Sequence, residues 1–178
     1  KDIKKTCPEL SDEEVNKLVD IQLKRELSSG VQTIQYQINT LFTSNGQSPF
    51  VTLFLYLDPT NEYAEENAMI IEEIFKQRLL GIKNECGVYI TPAFPKLIYV
   101  LTPENNLSGG KYDYITELAI KCTAKRMYPD YVSEKIMKQN QDGNVYSYMG
   151  CRSLLPVWKD ENGTPKFEGR LTPTVGVA

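Results

Sequence analysis

The chain contains no histidine in its 178 residues. That removes imidazole acid/base catalysis, Ser-His and Cys-His nucleophile pairs, and every imidazole metal site. Its four cysteines, Cys7, Cys86, Cys122 and Cys151, stand far apart and form no CxxC pair, so neither a zinc site nor an iron–sulfur cluster is expected within the chain. No apolar run approaches the roughly 20 residues of a membrane span. Lys1-Asp2-Ile3-Lys4-Lys5 leads into no apolar signal core. A cytoplasmic protein is expected, with no membrane partner and with thiols that stay reduced and separate. Basic residues are not in surplus: 20 Lys and Arg against 23 Asp and Glu leave a net charge of −3, and the two signs are interspersed. No nucleic-acid-binding face is expected from that balance. There is also no glycine-rich phosphate loop, which argues against a bound nucleotide cofactor. The length suits one ordinary domain or a piece of something larger.

What is present reads as alternating helices and strands. Ser11-Asp12-Glu13-Glu14 is a capping box, so a helix starts there. Val15, Leu18, Val19, Ile21, Leu27, Val31, Ile34, Ile38 and Leu41 recur at helical spacing. They predict a long amphipathic helix or two helices that meet near Gly30, where a break is expected, with the stripe packing into the core, the rival reading being a helix pair that serves a subunit interface. Phe50 to Leu57 is a nearly continuous apolar run, which predicts a central strand buried on both faces. Glu62 to Leu80 predicts a helix whose Ala68, Ile71, Ile74, Phe75 and Leu79 share a face, stopped by Gly81. Leu97 to Leu101 predicts a second strand, entered through Pro92 and Pro95. Further helices are expected from about Tyr112 to Met127 and from Tyr131 to about Lys138, followed by a short aromatic strand that runs into Cys151. The order is that of βαβ units with parallel strands and outer helices, an α/β fold. Beyond it, 159–165 reads as a polar turn and 174–178 as the start of a strand.

In Tyr146-Ser147-Tyr148-Met149-Gly150-Cys151-Arg152-Ser153 the thiol sits between a glycine and an arginine. Gly150 permits a sharp turn and a close approach to the sulfur, so Cys151 reads as a displayed thiol on a loop tip. The competing reading is a small buried hydrophobe, the usual state of a free cysteine. Cys122, on a helix beside Leu118 and Ile120, reads as core.

Four motifs in order, Asn45-Gly46-Gln47-Ser48-Pro49-Phe50, Thr91-Pro92-Ala93-Phe94-Pro95-Lys96-Leu97, Lys125-Arg126-Met127-Tyr128-Pro129-Asp130 and Met149-Gly150-Cys151-Arg152-Ser153, resemble the anaerobic, glycyl-radical ribonucleoside triphosphate reductases. The resemblance implies that residues 1–178 are a single segment of a larger catalytic domain. That domain would be a ten-stranded α/β barrel with parallel inner strands, outer helices and a central finger loop carrying Cys151. It implies that Cys151 forms a thiyl radical that takes the 3′-hydrogen of a ribonucleoside triphosphate. Gln47, Ser48, Gly150 and Thr172 are the implied substrate-side residues. Gln47 and Ser48 read equally as turn caps, and Thr172 stands where many members of the family carry an asparagine. Thr91 to Pro95 leans to architecture, and Lys125 with Arg126 leans to a solvated or dipole-compensating pair over triphosphate ligands. Arg152 reads either as orienting the loop or as a surface ion pair.

The resemblance implies no cofactor held by this segment, because the organic radical sits on a glycine, and zinc in a module, outside these residues. The implied partners are the triphosphate substrate, formate or a thiol protein as reductant, an S-adenosylmethionine-dependent iron–sulfur activating enzyme, and a second copy in a homodimer. The alternative is a truncated or split piece of the same fold that associates with other segments without activity of its own.

Overall fold

A computed structural model of the chain describes residues 10–42, 46, 49–141, 143–148 and 162–164. Helix α1, Asp12–Thr40, opens on the expected capping box. The Ser11 amide donates to Glu14 Oε2 at 2.9 Å and the Glu14 amide donates to Ser11 Oγ at 3.3 Å. The helix runs without interruption through Gly30, contrary to the predicted break. A glycine inside a helix costs only about 1 kcal/mol, and the turns around it are anchored to the next helix. Gln32 Nε2 donates to Gln77 Oε1 at 3.1 Å, and Gln77 Nε2 donates to Ser28 Oγ at 3.0 Å. The apolar stripe is not the core element predicted for it: Val31 is buried, whereas Leu18, Val19, Ile21, Ile34 and Leu41 are exposed.

Strand β1 is Thr52–Leu55, and helix α2 follows at Ala64–Leu80. A two-stranded antiparallel hairpin, β2 Ile82–Lys83 with β3 Tyr89–Ile90, comes next, and then strand β4, Lys96–Leu101. After β4 come a single helical turn α3, Pro103–Asn106, helix α4, Asp113–Arg126, strand β5, Asp130–Ser133, and helix α5, Glu134–Asn140. The three long strands form a parallel sheet in the order β1-β4-β5, with Leu55 opposite Tyr99 and Tyr99 opposite Tyr131. Two predictions are corrected here. The run at Phe50 to Leu57 is not central: β1 is an edge of the sheet among the described residues, and Phe50 is 76% exposed. An apolar run reports burial but not which strand lies in the middle. Tyr131 to Ser133 is strand, not the start of a helix, because its aromatic and β-branched residues pair with β4 before the chain turns helical at Glu134.

β4 is the true centre, with Leu97, Ile98, Tyr99 and Val100 each at most 1% exposed. Alternation puts Leu97 and Tyr99 on the face covered by α2 and α4, where they join Leu55, Leu57, Ala68, Ile71, Phe75, Tyr112, Ile115 and Ala119 in one core. The Phe75 ring meets Tyr99 edge-on at 5.3 Å. The buried Tyr99 hydroxyl shares a 2.9 Å hydrogen bond with Thr116 Oγ1, and burial pushes its pKa up to about 12. At the exit of β4, Asn105 is fully buried and ties the strand end together. Its Oδ1 accepts from the Thr102 amide at 2.9 Å and its Nδ2 donates to the Val100 carbonyl at 2.9 Å. Among the described residues no helix is long and apolar enough to cross a membrane.

Gly81 ends α2 as predicted, at φ 88°. A Cβ there would lie 2.5 Å from the Ile90 carbonyl oxygen and 2.8 Å from Arg126 Nη2. Gly81→Ala is therefore expected to destabilise the fold by about 2 kcal/mol or more, seen as a lower thermal midpoint. An unchanged midpoint would show that the hairpin gives way freely.

Candidate functional site

Cys151, Gly150, Gln47, Ser48 and Thr172 lie outside the described residues, as does Arg152. Their described neighbours locate the surroundings. Pro49 and Phe50 follow Ser48 at the start of β1, and Tyr148 precedes Cys151 by three positions.

At the N-terminal end of the parallel sheet, parts of three motifs converge. The ring of Phe50 meets Phe94 edge-on at 4.7 Å, and the Lys96 amide donates to the Val51 carbonyl at 2.8 Å. Asn39 Nδ2 of α1 donates to the Phe94 carbonyl at 2.7 Å. Lys96 Nζ donates to Tyr128 Oη at 3.0 Å, and that hydroxyl donates to the Ala93 carbonyl at 3.1 Å. The Lys96 ammonium lies 5.2 Å from the Tyr128 ring centre and 5.9 Å from that of Phe94. The Phe94-Pro95 and Tyr128-Pro129 peptide bonds are both cis.

Two arginines hold this end together. Arg78, on the last turns of α2, is 1% exposed. Its Nη1 donates to the Pro92 carbonyl at 2.7 Å and its Nη2 to the Pro95 carbonyl at 2.5 Å, while the guanidinium lies over the Tyr128 ring at 4.8 Å. Burial lowers its pKa, and no carboxylate faces it among the described residues. Arg126, at the end of α4, donates from Nε to the Leu79 carbonyl at 3.0 Å, from Nη2 to the Leu80 carbonyl at 2.5 Å and from Nη1 to Thr91 Oγ1 at 3.2 Å. The expected dipole-compensating role for Arg126 is thus met, but on the neighbouring helix α2. Thr91, Lys96, Lys125, Arg126, Tyr128 and Asp130 line a cleft of about 530 Å³. Nothing in the sequence pattern singled out Arg78: a lone arginine near a helix C-terminus reads as a surface cation.

Tyr148 and Ile98, Asp130, Tyr131 and Val132 line a second hollow of about 450 Å³. Ile98 lies on the sheet face turned away from the core helices, so Tyr148 lies beside that face. Asp130 borders both the hollow and the basic cleft. At the opposite end of the sheet, Tyr56 Oη donates to Glu134 Oε1 at 2.7 Å and Lys138 Nζ donates to the same oxygen at 2.9 Å. Burial, followed by the Glu134 carboxylate, pushes the Tyr56 pKa well above the usual phenol range. This bridge runs from the residue after β1 to α5 and lines one hollow with Thr102, whose buried hydroxyl has no partner among the described residues.

A family model described as anaerobic ribonucleoside-triphosphate reductase matches residues 7–177. The chain belongs to the anaerobic ribonucleoside-triphosphate reductase family. The reductase of that name from Enterobacteria phage T4 is 40% identical over 149 residues, which are 83% of this chain and 24% of that protein. The one from Escherichia coli (strain K12) is 38% identical over 149 residues, 82% of this chain and 20% of that protein. The one from Salmonella typhimurium is 37% identical over 150 residues, again 83% of this chain and 20% of that protein. The chain therefore spans about a fifth to a quarter of the length of the relatives it matches.

Two of the four thiols lie among the described residues. Cys122 is fully buried as core, as expected, and burial pushes its pKa up to about 11. Cys86 is exposed in the turn between β2 and β3, and both are free. Alkylation needs the thiolate, so Cys122 is expected to resist iodoacetamide at pH 8 until the protein unfolds. Peptide mass spectrometry after brief alkylation checks this, and rapid native labelling at Cys122 would contradict its buried placement.

Proposed function

We propose that this chain supplies the central part of the catalytic barrel of a reductase that converts ribonucleoside triphosphates to deoxyribonucleoside triphosphates, with Cys151 as the residue that carries the radical to the ribose. One observation carries the proposal: the family match runs to residue 177 and so takes in Met149-Gly150-Cys151-Arg152-Ser153. The parallel sheet β1-β4-β5, with helices on one face, would be one portion of a ten-stranded barrel. Its opposite face, with Phe54, Ile98 and Val100, would turn toward the barrel centre, where a finger loop would present the sulfur.

A radical on a glycine outside these residues would supply the initial hydrogen-atom abstraction. Cys151 would give up its S–H hydrogen atom to that centre, and its sulfur would then take the 3′-hydrogen of the bound ribose. The 2′-hydroxyl would leave as water on protonation, two electrons from formate or a thiol protein with a second proton would complete the C2′–H bond, and the Cys151 S–H would return its hydrogen atom to C3′, regenerating the thiyl radical. Hydrogen-atom exchange at sulfur needs proximity to both partners and no ionisation, which suits a chain without histidine. Gln47 and Ser48 would contact the ribose, Gly150 would let it approach the sulfur, and Thr172 would offer a hydroxyl where many relatives have an amide. Zinc and the S-adenosylmethionine-dependent iron–sulfur activating enzyme would act through parts of the enzyme outside this chain. The exposed apolar side of α1 would serve a homodimer.

The experiment that tests the chemistry sets ordinary and 3′-deuterated ribonucleoside triphosphates in competition for the full-length, activated enzyme. The deuterated substrate is expected to be consumed more slowly, whereas equal consumption would rule out 3′-hydrogen abstraction as a rate-contributing step in capture. The share of the relatives that this chain covers also favours a second statement about the isolated 178 residues: alone they would show no turnover.

A further inference from the structure

We propose that the cleft at the N-terminal end of the sheet binds the polyphosphate group of the substrate, with Lys96 and Lys125 as its charged ligands. This rests on the reading of Cys151 as the radical cysteine and names the part of that site which holds the anionic end of the nucleotide.

The first support is an unbalanced charge. In a chain of net charge −3, this cleft gathers Lys96, Lys125 and Arg126 against one carboxylate, Asp130, among the described residues. Arg78 adds a fourth cation buried behind Tyr128. The arginines direct their Nη donors to carbonyls and to Thr91, and Arg126 its Nε as well, while the buried Nε of Arg78 has no partner among the described residues. The two lysines are less engaged. An ammonium has three donors, and the half-buried Lys96 uses one of them, on Tyr128 Oη. No carboxylate among the described residues pairs with Lys96 or Lys125. A partly buried cation without a counter-charge is unfavourable unless a ligand supplies one. The rings of Phe94 and Tyr128 flank the ammonium and so limit where that ligand can sit.

The plain alternative is that these cations only offset helix ends. It accounts for Arg126 and for the place of Lys125 in the last turn of α4. It does not account for Lys96, which is on a strand.

The second support is position. Phe94 touches Phe50, two residues after Ser48. Asp130 borders both this cleft and the hollow lined by Tyr148, three residues before Cys151. The cleft therefore lies between the flanks of the two segments assigned to the ribose. A triphosphate seated on Lys96 and Lys125 would leave its ribose on the side of Asp130, which borders both hollows.

The test uses the full-length reductase with Lys96→Gln, Lys125→Gln and Lys96→Arg. Binding of a ribonucleoside triphosphate, its parent nucleoside and inorganic triphosphate is measured without activation, and KM and kcat are measured after activation. Each Gln variant is expected to weaken the nucleotide and raise KM by about tenfold, to leave nucleoside binding unchanged, and to preserve kcat far better than KM. Lys96→Arg is expected to recover most of the affinity, and inorganic triphosphate should compete with the substrate in the unsubstituted enzyme. Unchanged nucleotide affinity in both Gln variants overturns the proposal. So does an equal loss for nucleoside and nucleotide, or inorganic triphosphate that binds through the lysines without displacing substrate. Lys125 is exposed, so its substitution reads the charge without disturbing the core. Turnover retained in Cys151→Ala would sink the radical reading while leaving these binding results to be judged separately.

Discussion

Cys151→Ala in the full-length, activated reductase is expected to lower turnover by roughly four orders of magnitude or more, with the glycyl-radical signal still forming normally. Alanine removes the one atom at that position able to exchange a hydrogen atom with both a carbon-centred radical and the ribose. No neighbouring residue type in Met149 to Ser153 replaces it, because methionine has no S–H and the serine O–H bond is too strong for reversible exchange. Cys151→Ser is therefore expected to be as inactive as Cys151→Ala. The two readouts, spin count by electron paramagnetic resonance and deoxynucleotide formation, separate a failure of activation from a failure of transfer. A Cys151→Ala enzyme that keeps more than a small fraction of normal turnover would end the assignment.

Arg78→Ala should produce the largest loss of stability among the described residues, about 3–5 kcal/mol. The substitution leaves the Pro92 and Pro95 carbonyls without their donors and opens a void beneath the Tyr128 ring. Pro92 and Pro95 are themselves buried, so water does not freely replace the guanidinium. Arg78→Lys keeps the charge but offers a point donor in place of a planar fork, and it is expected to recover only part of the loss. Hydrogen exchange at the amides of β4 in the full-length enzyme is the appropriate measurement. Protection there should fall by about two to three orders of magnitude in Arg78→Ala. Protection within a factor of a few of the unsubstituted protein would show that the two carbonyls find other donors.

The alternation of helix and strand was legible because it depends on local signals. Ser11 with Glu14 announced the start of α1, and Gly81 announced the end of α2. The apolar run at Leu97 to Leu101 marked β4. What was misread depended on partners distant in sequence. Gly30 looked like a break, yet Gln32 and Ser28 gain from Gln77 what the glycine loses. Tyr131 to Ser133 looked helical until paired with Tyr99 to Leu101. Which strand lies in the middle is a matter of topology, and hydrophobicity along one strand does not carry it. For the site, four motifs named the family before any geometry, but their spatial grouping was invisible. Phe50 meets Phe94, and Tyr128 meets Ala93, only because a parallel sheet brings the starts of β1, β4 and β5 to one edge. Arg78 had no sequence signal at all, since its acceptors are backbone carbonyls 14 and 17 residues away.

Arg126 joins the last carbonyls of α2, the end of α4 and the threonine that opens the loop into β4. Three separate stretches of chain are thereby pinned at a single rivet. The two helices cannot slide along the sheet one at a time, because they would first have to surrender the two bonds from Arg126 to the Leu79 and Leu80 carbonyls. A push delivered to either helix is thus shared with the other and with the Thr91 loop.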